Sequence, residues 1–103
     1  MIRNAFKMKL KSGFEAEYQK RHDEIWPELS QVLAQAGVSE YSIFLDAETL
    51  SLFACWKLFE DHTTMDLPND PIVKKWWAYM AEIMETNLDN SPLCSQLSEV
   101  FHM

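Results

Sequence analysis

Two glycines in 103 residues leave no Gly-rich loop to wrap backbone amides around a phosphate. The two cysteines, Cys55 and Cys94, lack metal-ligand spacing. In a chain with no secretory signal they are expected as reduced, half-buried thiols rather than a disulfide. Basic residues are scarce, nine against sixteen acidic ones, for a net charge of -7. That balance provides no stripe to displace counterions from nucleic acid, and it argues equally against an anionic membrane surface. Lys20-Arg21 and Lys74-Lys75 fall beside apolar helical stripes and read as solvated faces. A long apolar run is missing too. The opening "MIRNAFKMKLK" alternates apolar and polar residues, as neither a signal peptide nor a membrane span does. A cytoplasmic soluble protein is therefore expected. No Cys/His/Asp cluster has ligand spacing and no Ser-His-Asp signature is present, so neither a metal nor a cofactor is expected.

What the chain does have is apolar and aromatic bulk. Hydrophobic residues make up 48% and aromatic ones 13%, including four Trp, enough for one packed domain over residues 1–103. Indoles either fill a core or form flat platforms for ligands. With an acidic surface, a neutral or cationic small molecule is a better partner than a phosphorylated one.

Alternation of Ile2, Asn4, Phe6, Met8 and Leu10 against Arg3, Ala5, Lys7 and Lys9 predicts a strand with one buried face. After the turn at Ser12-Gly13, Phe14, Tyr18, His22 and Ile25 recur at helical spacing. Pro27 forces a kink or restart, and a second helical piece runs through Leu29, Val32, Leu33 and Ala36 to a cap at Gly37. "YSIFLD" and "LSLFACWKLF" read as a hairpin, with Tyr41, Ile43 and Leu45 on one side and Phe44 on the other. Asp70 and Pro71 then suit the N-cap and first position of a helix "IVKKWWAYMAEIM", and "LCSQLSEVFHM" alternates as a final strand. The order strand, helix, strand, strand, helix, strand is the α+β, ferredoxin-like split βαβ arrangement. Two helices can cover only one face of its four-stranded antiparallel sheet. The large apolar side chains on both faces of the hairpin therefore predict a two-fold homodimer packed sheet to sheet.

Three constellations could carry chemistry. His22, alone on an apolar face, has core or rim packing as its plainer reading. A near-neutral pKa suits proton transfer, however, and Tyr18 lies one turn away on the same face. Trp76 and Trp77 point about 100° apart on a helix, so they cannot do the same job. Both could belong to the core stripe, but two neighbouring indoles in so small a domain favour a cleft role for at least one. Tyr41 can project from the sheet rim or simply pack across strands. His62, in a polar loop, and His102, near the C-terminus, add nothing to these groups.

At these residues the chain resembles the L-rhamnose mutarotase family. The likeness runs through "AFKMKL", "EYQKRHDEIWPELSQVLAQAG", "YSIFLD", "KKWWAYM", "DNSP" and the "EVF" ending, in order and across essentially the whole length. It implies a dimeric α+β barrel and interconversion of the two anomers of L-rhamnose without a cofactor. It also implies a proton donor at His22, with Tyr18, Tyr41, Trp76 and Trp77 around the sugar. The alternative keeps the fold and changes the class, to a ligand-binding protein or a cofactor-free monooxygenase. Fold alone does not separate these.

Overall fold

Each boundary in the first half of the chain has a local cause. In the computed structural model, which describes residues 1–103, β1 (Ile2–Lys9) is followed by α1 (Glu15–Asp23) and α2 (Pro27–Gln35). Pro27 occupies the first position of α2, where its missing N–H costs nothing, so the chain turns and restarts there. Gly37 follows the helix with φ +97 and donates to the Ala34 carbonyl, closing the last turn. A Cβ at this position would meet the His62 Cβ at 2.8 Å, so the close approach of two loops also requires glycine.

β2 (Val38–Asp46) and β3 (Ser51–Leu58) form the hairpin, a 3₁₀ turn spans Thr64–Asn69, and α3 (Pro71–Met80) and β4 (Ser95–Leu97) complete the chain. The Asp70 carboxylate caps α3 by accepting from the amides of Ile72 (2.8 Å) and Val73 (3.4 Å). All strand pairs are antiparallel and their spatial order is β2-β3-β1-β4, the split βαβ topology. A single core cluster joins Phe6, Met8, Leu52 and Ala54 of the sheet to Tyr18, Leu29, Val73, Trp76 and Met80 of the helices. The opposite face carries exposed Phe44, Phe53 and Leu97.

A bulge in β2 reconciles two demands on one strand. Val38 and Ile43 are an odd number of residues apart, so an unbroken strand would aim them at opposite faces. The register slips between Ser39 and Ser42, and Glu40 takes φ +47. Val38 is thereby buried while Ile43 still packs against the core and Tyr41 against Phe6 and Trp56.

Several expectations need correction. The last helix ends at Met80 rather than continuing through Met84. Ile83 and Met84 are still buried, but they arrive on a segment that bonds to the end of β1. Lys11 N–H donates to the Ile83 carbonyl (2.9 Å) and Glu85 N–H to the Lys9 carbonyl (3.0 Å). The unpaired backbone of β1 competes successfully with another helical turn for these groups. The final strand shrinks to Ser95–Leu97, and residues 98–103 are exposed. Ile2 lies in the buried register but beyond the helices' cover, so it is exposed. Cys55 and Cys94 are free thiols as expected, but exposed rather than half-buried: Cys55 lies on the uncovered face and Cys94 just before β4.

Candidate active site

Tyr18 and His22, one turn apart on α1, stack with ring centroids 4.4 Å apart. His22 Nδ1 lies 3.0 Å from the Tyr18 carbonyl oxygen. A carbonyl can only accept, so Nδ1 carries the proton and Nε2 keeps the lone pair. Burial pushes the imidazole pKa below its ordinary value, outweighing the upward effects of the Tyr18 carbonyl and Asp23. The ring is neutral at pH 7, ready to accept a proton at Nε2.

The same α1 face meets α3. Trp76 is buried and sets its ring at 89° to His22, with centroids 5.4 Å apart, and Trp26 closes on Trp76 at 5.1 Å. Trp26 in turn stacks on Tyr79 at 5.7 Å. Arg21 holds the far end of this chain of rings. Its guanidinium lies 3.9 Å over Tyr79, donates to the Tyr79 carbonyl at 2.6 Å, and pairs with Glu17 (2.7 Å) and Glu82 (3.2 Å). The side chain is 9% exposed, so the reading of Lys20-Arg21 as a solvated pair fails at Arg21. A planar cation can cover an aromatic face while its edges serve carboxylates, as a lysine cannot.

Across from these helices, Tyr41 contacts Trp56 (5.0 Å) and Phe6 (6.5 Å). Between the two groups lies a cavity of about 1200 Å³. Tyr18, His22, Tyr41, Trp76 and Trp77 all line it, so the structure brings together every residue singled out in the sequence. Trp77 is half-buried and makes no ring contact, whereas Trp76 belongs to the core cluster, so the two indoles differ as their divergence on the helix requires. Burial holds the Tyr18 phenol well above its ordinary range, and the nearby Tyr41 adds a smaller push. Tyr41 shifts the same way for the same cause, tempered because 38% of the residue stays open to solvent. Both phenols therefore remain protonated donors.

Sequence reasoning missed Trp56 and the cavity-lining loop residues Asn87, Asn90 and Ser91. Trp56 was visible as one of four Trp on an alternating strand, but its partner depended on register. The loop gave no signal: its shape comes from Asn87 bonding to Ser91 and from Asn90 at φ +69. No group of three or more His, Cys, Asp and Glu lies close enough together to hold a metal ion.

A family model described as L-rhamnose mutarotase matches residues 3–103. The chain belongs to the L-rhamnose mutarotase family. Among similar relatives, the L-rhamnose mutarotase of Rhizobium johnstonii is 59% identical over 98% of this chain and 95% of its own. That of Phocaeicola vulgatus is 56% identical over 100% and 99%. A crystal structure of an L-rhamnose mutarotase from Formosa agariphila superposes with a TM-score of 0.94 at 54% identity, covering 100% of this chain and 99% of that one. Mutarotase-family membership thus agrees with the resemblance read from the sequence. The ligand-binding and monooxygenase alternatives gain no support from these relatives.

Proposed function

We infer that the protein is an L-rhamnose mutarotase, an isomerase that interconverts the α and β anomers by opening and reclosing the hemiacetal ring. Family membership across residues 3–103 supports the reaction, and the Nδ1 hydrogen bond of His22 carries the mechanism. In ring opening, Nε2 takes the proton of the anomeric hydroxyl as the C–O bond to the ring oxygen breaks. A protonated phenol, at Tyr18 or Tyr41, hydrogen-bonds to the departing ring oxygen. The aldehyde rotates about its C1–C2 bond and offers its other face. The former ring oxygen, left as an alkoxide on that phenol's hydrogen bond, then attacks, and the imidazolium returns its proton to the new anomeric oxygen. His22 is thus base in opening and proton donor in closing. Trp76 and Trp77 are read as sugar-binding walls, with Trp77 the freer ring to stack. Proton transfer by a positioned group is worth roughly 10²–10⁴-fold, useful for a reaction that already proceeds in water.

The site is read as needing no cofactor or metal, since proton transfer completes the chemistry. Saturation-transfer NMR of anomer exchange on L-rhamnose, with and without the protein, tests the reading. Exchange should accelerate with protein concentration, and an unchanged rate would refute the activity.

The chain is further read as one domain over residues 1–103 that pairs as a homodimer through the uncovered sheet face. Phe44, 64% exposed, and Phe53, 38% exposed, support a partner that covers them. Sedimentation equilibrium at micromolar concentration should give twice the 12.1 kDa chain mass, and a clean monomer would remove this reading. A cytoplasmic location fits the same picture. No helix is long and apolar enough to cross a membrane.

A further inference from the structure

Trp56 belongs to none of the groups read above as serving the sugar, yet it is the most firmly oriented ring on the sheet side of the cavity. It is half-buried on β3, lines the cavity, and stands opposite Asn4 of β1. Its indole Nε1–H donates to Asn4 Oδ1 at 3.0 Å. An indole can only donate, so Asn4 must present its oxygen to Trp56 and its amide nitrogen elsewhere. That nitrogen donates to Gln96 Oε1 on β4 at 3.0 Å. Phe6 (5.1 Å) and Tyr41 (5.0 Å) meet the ring at steep angles and complete its setting. Three strands therefore hold one indole, and its single polar atom is already paired.

What Trp56 offers the cavity is consequently aromatic surface with no donor or acceptor. L-Rhamnose has one exocyclic group that asks for no hydrogen bond, the methyl at C6. L-Mannose has the same ring configuration and a hydroxyl at that position. We propose that Trp56, oriented by Asn4 and Gln96, receives the C6 methyl and makes the site select 6-deoxy over 6-hydroxy sugars. The proposal rests on the reading of this cavity as the L-rhamnose site. Asn4 acts through Trp56 and is a positioning residue.

Anomer exchange measured by NMR on L-rhamnose and L-mannose tests it. An apolar pocket rejects an added hydroxyl by about 10²-fold at most, so the wild-type kcat/KM ratio should lie in the tens to about one hundred. Trp56→Gln places a donor and an acceptor at the wall, and the ratio should fall roughly tenfold, mainly through a lower KM for L-mannose. Trp56→Phe keeps the wall apolar and should keep the ratio. Asn4→Leu frees the indole N–H and should narrow the ratio by a few-fold, a change in specificity that mere loosening of the fold would not produce. It decides the matter should Trp56→Gln fail to fold. A folded Trp56→Gln or Asn4→Leu protein with the wild-type ratio overturns the role of Trp56 while leaving the mutarotase reading intact. A wild-type protein inactive on L-rhamnose overturns that reading and this inference together.

Discussion

On the helical side of the cavity, Tyr18 and His22 stack at 4.4 Å because four residues separate them on α1. On the sheet side, Tyr41 meets Trp56 at 5.0 Å because β2 and β3 pair with a one-residue slip near Glu40. Ring contacts link Tyr18, His22, Trp76, Trp26 and Tyr79 into one group, and Phe6, Tyr41 and Trp56 into another, with none between them. The first group contains the one imidazole that lines the cavity, its pKa lowered by burial. The second contains a paired indole and protonated phenol. On the proposed reading the helical wall moves the proton, while Trp76, Trp77 and the sheet wall hold the sugar. The difference teaches that the two walls have different structural origins, helical spacing for one and strand register for the other.

The largest effect should come from the helical wall. His22→Ala should slow anomer exchange on L-rhamnose by about two orders of magnitude or more, with circular dichroism unchanged. Near wild-type exchange would remove the proton-transfer role from this wall. Trp76→Ala should lower unfolding stability by roughly 3–5 kcal/mol in a urea titration, as truncation of a large core ring does. A loss below about 1 kcal/mol would mean that Trp76 lines the cavity without supporting the core.

A sheet-wall change should be milder and differently distributed. Tyr41→Phe removes one hydroxyl and should raise KM for L-rhamnose about tenfold, the order of a single neutral hydrogen bond, with kcat changed less. A collapse of kcat instead would make Tyr41 a proton-transfer partner and erase the division between the walls.

The smallest effect concerns pH. On the proposed mechanism exchange needs the neutral imidazole, and burial lowers the His22 pKa from its ordinary value of 6.5. Activity should therefore hold through neutrality and fall only as pH drops below the usual imidazole range. The same depressed pKa contributes stability that is present above the unfolded value of 6.5 and lost as pH falls through the folded value. An acid limb in the NMR exchange rate centred above 6.5 would contradict the desolvated site.

Much of this was legible beforehand, for identifiable reasons. Pro27 and Asp70-Pro71 mark helix starts because a missing N–H and a short carboxylate act locally. Tyr18 and His22 share a face by helical geometry alone. Ile83 and Met84 misled because burial at helical spacing does not require a helix when a strand end nearby offers backbone partners. Arg21 misled because only Glu17 among its partners is local, while Tyr79 and Glu82 lie far along the chain. Its neighbour Lys20 is exposed, as the pattern suggested.

Local periodicity, capping residues and composition by themselves determined the split βαβ order, the absence of a phosphate loop, and the pairing of Tyr18 with His22. Each depends on residues within a turn or two, where sequence spacing is spatial spacing. Only the tertiary structure decided that Trp76 stands against His22, that Arg21 is packed rather than solvated, and that Trp56 is locked through Asn4 to Gln96. These depend on strand register, a single bulge and the approach of α1 to α3. Shifting a strand by one residue turns every side chain to the other face, and no local signal reports that choice.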